Sequence, residues 1–223
     1  MGLGIIIQAR TKSTRFPRKV IKPLYWGLNS LEIIIKRLKP TRLPIIVATP
    51  MNDDLIYEIA HANNVKVHFG PEDDVLSRII GAAEEYKISE IVRVCADNPF
   101  IDPFLLMTMV QYGKEAKCDY ITYGDEQGQN LINLKLGLFG EYVKLWVLKG
   151  IHDQIKNTSE HVTWFATNPF GGIKARLIPF TVIKIFKLSI DTEEDFNRCK
   201  RVFNDLGLNA TWLEILEWVN EHI

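Results

Sequence analysis

Residues 3–19 read LGIIIQARTKSTRFPRK, and this stretch decides the fold. Its first part, Leu3-Gly4-Ile5-Ile6-Ile7, is an unbroken apolar run. Such a run predicts a first strand buried on both faces, as in a parallel sheet covered by helices. The rest, Gln8 to Lys19, gathers Arg10, Lys12, Arg15, Arg18 and Lys19 in one loop, with Ser13 and Thr14 between them. Open α/β sheets bind ligands at the carboxyl ends of their strands. Cations, hydroxyls and backbone N–H groups collected there suit a polyphosphate. Arg10, Arg15 and Lys19 are therefore read as contacts of a nucleotide or phosphate, and Gln8 and Ser13 as its hydrogen-bonding partners. The competing reading is a solvated basic loop.

Working outward, helical patterns alternate with strand-like runs. Asn29 or Ser30 can cap a helix carrying Leu31, Ile34, Ile35 and Leu38. Ile45 to Ala48 reads as a strand, Asp53 as the cap of a helix holding Ile56 and Ala60, and Val65 to Phe69 as a third strand. Glu72-Asp73-Asp74 opens a helix with its acids at the positive end of the dipole. Ile91 to Ala96 is a fourth strand, with Cys95 assigned to the core, and Pro103 starts a helix after Asp102. The alternation predicts an α/β fold, a mostly parallel mixed sheet flanked by helices. After Thr122 the pattern breaks. Tyr123 to Asn133 reads as a loop, about 141–150 and 160–168 as helices, and 176–181 and 185–190 as strands, before two closing helices. One domain over 1–223 is expected, with an excursion at about 122–170.

Composition excludes several classes. Lys+Arg and Asp+Glu balance at 27 each, so bulk attraction to nucleic acid or an anionic membrane is not expected. Three scattered cysteines argue for a reducing compartment, and the apolar start is too short for a secretory signal, so a cytoplasmic setting is expected. There is no GxxxxGK[ST], complete GxGxxG, HExxH, GxSxG or Asp-x-Asp. Two acids stand out instead. Asp97 follows the fourth strand, and Asp191 ends the run Ser189-Ile190-Asp191. Hard oxygen donors converging on a phosphate loop would hold Mg²⁺. A helix-capping role is the rival for each, strongest for Asp191 before Thr192-Glu193-Glu194.

Five segments in order carry a resemblance: Gln8 to Lys19, Glu72-Asp73-Asp74-Val75-Leu76-Ser77-Arg78, Ala96 to Pro103, Ser159-Glu160-His161-Val162-Thr163 and Ile190 to Phe196. The chain resembles the cytidylyltransferases of the spore coat polysaccharide biosynthesis protein F type, relatives of CMP-octulosonate and CMP-sialic acid synthetases. The resemblance covers nearly the whole chain and implies a nucleotide-diphospho-sugar transferase-like fold, CTP as donor and a small acidic acceptor. It implies substrate-side roles for Arg78 and His161, and pairing of two copies through the 122–170 excursion, whose Leu131, Leu136, Leu138, Phe139, Trp146 and Trp164 need a partner in the sheet or in a second subunit. Lys12 and Arg18 stand where this family usually has glycine. They are expected to add phosphate contacts and so belong with the substrate-binding residues; a reshaped loop is the alternative.

The function expected is Mg²⁺-dependent transfer of CMP from CTP, releasing pyrophosphate, with Arg10, Lys19, Asp97 and Asp191 in the catalytic centre. Two rivals are a metal-dependent glycosyltransferase, disfavoured by the missing Asp-x-Asp, and a silent nucleotide-binding protein, which would have no need to keep Lys19, Asp97 and Asp191 together.

Overall fold

The structure, a computed structural model, describes residues 2–154, 172–182 and 184–223. His161, Trp164, the rest of the Ser159–Thr163 motif and the helix expected over 160–168 lie outside the described residues. The elements run β1 (Gly2–Gln8), β2 (Pro23–Tyr25), β3 (Leu28–Asn29), α1 (Ser30–Leu38), β4 (Ile45–Pro50), α2 (Asp54–Ala62), β5 (Lys66–Gly70) and α3 (Val75–Glu85). They continue with β6 (Ile88–Cys95), α4 (Pro103–Glu115), β7 (Tyr120–Gly124), β8 (Glu141–Lys144), α5 (Leu145–Gln154), β9 (Ala175–Pro179), α6 (Glu193–Leu206) and α7 (Trp212–His222). β2 and β3 form a separate hairpin.

The main sheet has the order β5-β4-β1-β6-β8-β7-β9. β1 pairs in parallel with β4 and β6, and only β8 runs against its neighbours. The expected mostly parallel mixed sheet is thus present. β1 is apolar up to Ile7 because both its faces are covered. Ile5 and Ile7 join one core with Leu31, Ile34 and Leu38 of α1, while Ile6 joins the other with Ile79 and Ala83 of α3 and Leu148 of α5. All three isoleucines are fully buried, each stabilising by about 1.5–3 kcal/mol.

Capping follows the sequence closely. Asn29 and Glu32 form a capping box on α1, and Asp102 accepts from the N–H groups of Phe104 and Leu105 at the start of α4. Two expectations are corrected. Glu141 to Lys144 is not helical: it is strand β8, inserted antiparallel between β6 and β7, and the helix begins only at Leu145. Residues 185–190 are not a strand of the sheet. Phe186, Leu188 and Ile190 are buried as a strand's inner face would be. Their backbone is satisfied elsewhere: Leu188 and Ser189 donate to the Lys135 carbonyl and Ile190 to the Asp97 carbonyl.

The apolar side chains of the excursion are also accounted for. Leu131, Leu136, Leu138 and Phe139 pack in the chain's own core, and only Trp146 among the described members is half exposed. No described helix is long and apolar enough to cross a membrane.

Candidate active site

A cleft of about 390 Å³ opens at the carboxyl ends of β1 and β6. It brings together Gln8, Arg10, Ser13, Arg15, Lys19, Arg78, Asp97 and Asp191 from the residues singled out in the sequence. Among the described residues, the cations Arg10, Arg15, Lys19, Arg78, Arg93 and Lys135 face two acids, Asp97 and Asp191. That surplus of positive charge suits a ligand carrying several negative charges.

The centre of the cleft is the Lys19 ammonium. Its Nζ donates to Asp97 Oδ2 at 2.7 Å, to Asp191 Oδ1 at 3.2 Å and to the Ile190 carbonyl. Two stitches bring these distant segments together: Ile190 N–H donates to the Asp97 carbonyl, and Ser189 Oγ donates to Asn98 Oδ1 at 2.7 Å. Burial alone would lower the Lys19 pKa, but the charges and hydrogen bonds of Asp97 and Asp191 raise it above its ordinary value.

Asp191 is not the cap of α6. That role belongs to Thr192, which forms a capping box with Asp195. The Asp191 carboxylate is left to its cations: Arg15 Nη2 at 2.8 Å, Lys135 Nζ at 2.7 Å and Lys187 Nζ at 3.3 Å, besides Lys19. Burial would push this carboxyl up. The Lys135 hydrogen bond and the charges of Lys19, Lys135 and Lys187 override it and hold the group well below the usual carboxylate range.

The basic loop is tied down at its shoulder. Asp53 stands at the start of α2 but does not cap it with its side chain. Its Oδ2 instead accepts from Thr11 N–H at 2.8 Å and Thr11 Oγ1 at 3.0 Å. Lys12 and Arg18 are not among the residues lining the cleft. Lys12 is exposed and paired with Glu72 at 2.7 Å. Arg18 holds φ 59°, the left-handed conformation a glycine takes without strain, and donates its N–H to the Thr11 carbonyl. The loop thus keeps a glycine-like backbone at this position. Arg18→Gly is expected to leave stability within about 1 kcal/mol, because relief of left-handed strain offsets the added unfolded-state entropy. Thermal unfolding checks this; a much larger loss would show that the Arg18 side chain makes stabilising contacts of its own.

Arg78 lies almost fully buried on the cleft wall. Its Nη1 donates to the Pro71 and Glu72 carbonyls, while Nε has no hydrogen-bond partner among the described residues. Burial, then the nearby Arg10, work against its charge and lower its pKa. Cys95, expected in the core, is half-buried and lines the cleft, its thiol pushed up to about 12, chiefly by burial.

Sequence reading missed Lys135, Arg93 and Asn130, all of which line the cleft. The clue to Lys135 was Gly137, at φ 79°, where an added Cβ would sit 2.9 Å from the Leu188 backbone. Only glycine lets this turn close on the segment that carries Asp191.

Comparison with known proteins bears on what this cleft serves. The spore coat polysaccharide biosynthesis protein SpsF of Bacillus subtilis (strain 168) is 32% identical over 221 residues, covering 91% of this chain and 86% of that protein. A solved cytidylyltransferase from Leptospira borgpetersenii serovar Hardjo-bovis (strain JB197) superimposes with a TM-score of 0.84 at 27% identity, over 99% of this chain and 94% of that one. CMP:2-keto-3-deoxy-manno-octonic acid synthetase, solved with CTP, shares the fold at a TM-score of 0.68 and 13% identity, over 92% of this chain and 99% of that one. The family model described as Cytidylyltransferase matches residues 4–213, a span that holds the basic loop, Asp97 and Asp191 alike, and the chain therefore belongs to the cytidylyltransferase family.

Proposed function

We propose that this cytidylyltransferase moves CMP from CTP to an acidic sugar or a related small acidic acceptor, releasing pyrophosphate. The observation that carries the reading is the Lys19 ammonium held between Asp97 and Asp191 inside a cation-rich cleft. The acceptor oxygen attacks the α-phosphorus of CTP, and the bond to the bridging oxygen of pyrophosphate breaks in line. Arg10, Arg15 and Lys19 neutralise the β- and γ-phosphates and the charge that grows on the leaving group. Catalysis is then positioning and charge stabilisation, with no need for a protein nucleophile.

Mg²⁺ fits this donor set, because two carboxylate oxygens and a carbonyl already converge on one cation, Lys19 Nζ. Asp97 and Asp191 would hold it, and it would supply further charge neutralisation on the triphosphate. A role in polysaccharide synthesis is suggested by the Bacillus subtilis relative. The three free cysteines suit the cytoplasm. A homodimer completes the reading, with Trp146 as the described residue of the excursion still available to a second copy.

Pyrophosphate release, measured with each of the four nucleoside triphosphates and Mg²⁺ across a panel of sugar acids, tests the proposal. Release with CTP and an acidic acceptor is expected. Transfer from a preformed nucleotide sugar, without use of CTP, would overturn it in favour of a glycosyltransferase.

A further inference from the structure

A chain of buried polar groups runs across four adjacent strands beneath the cleft. Gln8 ends β1. Its Oε1 accepts from Arg93 Nε of β6 at 2.9 Å. Arg93 lies directly opposite Glu141 of β8 in the antiparallel ladder, and its Nη1 donates to Glu141 Oε2. The other carboxylate oxygen, Oε1, accepts from the Tyr120 hydroxyl of β7 at 2.6 Å. That hydroxyl in turn accepts from Asn130 Nδ2 at 3.1 Å, and Asn130 Oδ1 accepts from the Ile132 N–H. Arg93, Glu141 and Tyr120 are 6%, 1% and 0% exposed, so water does not hold this ion pair. Burial, then the charge of Glu141, push the Tyr120 phenol well above its usual range, which keeps it a neutral donor.

Gln8 and Asn130, the two ends of the chain, both line the cleft. A carboxamide can offer a ligand either its oxygen or its NH₂. Here both oxygens are taken, one by Arg93 and one by the Ile132 N–H. Asn130 has also spent one N–H on Tyr120. Each oxygen keeps a second lone pair, but its place is fixed by the bond it already accepts, so what each amide has chiefly left for a ligand is N–H. A buried ion pair is a poor source of stability compared with apolar packing. Its retention beneath a binding cleft therefore calls for a second role.

We infer that Arg93, held by Glu141, is a positioning residue that fixes the Gln8 carboxamide with its NH₂ toward the ligand, and that Tyr120 fixes Asn130 likewise. At these two carboxamides the cleft then presents chiefly donors, selective for hydrogen-bond-accepting oxygen or nitrogen atoms of the bound nucleotide. The inference rests on the CTP reading above. Titration of the parent protein with Mg·CTP tests that reading separately, since absence of any binding would refute it before a variant is made.

Gln8→Glu is the decisive variant. The carboxylate is nearly isosteric and gains a charge pair with Arg93, so the unfolding temperature should hold or rise. CTP affinity should nevertheless fall about 10-fold or more, since an acceptor then faces acceptors. Unchanged affinity would overturn the inference without touching the CTP reading. Glu141→Gln should weaken CTP binding in the parent but add nothing in a Gln8→Ala background, although its loss of thermal stability should be similar in both. An equal loss of affinity in both backgrounds would show that the ion pair does not act through Gln8. Should Glu141→Gln fail to fold, the Gln8→Glu result still decides.

Discussion

An Asp97→Asn variant is expected to lose turnover by roughly 10³-fold or more, the loss of several kcal/mol of charge stabilisation, with an unfolding temperature within about 3 °C of the parent. The amide keeps the shape of the carboxylate and can still accept from Lys19. The ammonium also keeps its contacts with Asp191 Oδ1 and the Ile190 carbonyl. Asp97 is partly exposed rather than sealed in the core, so the fold has little stake in its charge. The reaction has a large one, because an amide removes one of the two anionic charges that line the cleft among the described residues. Pyrophosphate release and thermal unfolding on the same preparation separate the two effects. Near-parental turnover would remove Asp97 from the proposed catalytic centre, and collapse of the fold would make its role structural.

Lys19→Ala is expected to lower kcat/KM by about 10²–10³, the scale for losing one charge-stabilising donor in a water-poor site. A second effect follows from the apo geometry. In the parent, Lys19 Nζ sits between Asp97 and Asp191. Removing it leaves two carboxylates facing a vacated position with hard oxygens around it. The nucleotide-free variant should therefore bind Mn²⁺ more tightly than the parent, whose ammonium competes for the same oxygens. Mn²⁺ titration followed by electron paramagnetic resonance reads this directly. Weaker Mn²⁺ binding in the variant would show that the two carboxylates do not form one cation site.

The difference between what the sequence disclosed and what it hid has a physical basis. β1 was legible because burial on both faces leaves no polar position in Ile5-Ile6-Ile7. The basic loop was legible because its charges lie close together in sequence. The convergence of Asp97 and Asp191 on the basic loop was inferred from strand ends, and the run before Asp191 is not a strand of the sheet; that Lys19 pairs with both acids was not foreseen. Residues 185–190 mimic a strand because alternate burial needs only an extended backbone, not a ladder partner. Glu141-Tyr142-Val143-Lys144 failed in the opposite sense. Four residues are too few to show a period against the helix that follows, and their strand character comes from β6 and β7 on either side. That single error concealed the Arg93–Glu141 pair, because a helical Glu141 would not face Arg93 in a ladder. Lys135 was hidden for another reason: an isolated lysine in a loop has no periodicity, and only the fold reveals that its carbonyl and ammonium both reach the Asp191 segment.

The distance along the chain between Lys19 and Asp191 has a consequence for how the molecule matures. The two partners are 172 residues apart, whereas β5, β4, β1 and β6 with their helices are all complete by residue 95. Pairings that close such long loops form late in folding. The four-strand parallel half can therefore assemble while the basic loop still lacks its carboxylates. The segment carrying Asp191 docks afterward, onto the carbonyls of Lys135 and Asp97 rather than into a ladder. On a ribosome, where the N-terminal part emerges first, the loop is exposed long before the site exists. Competence to bind the nucleotide is then a property of the finished chain, and ligand that selects this last docked arrangement stabilises the final step of folding rather than the first.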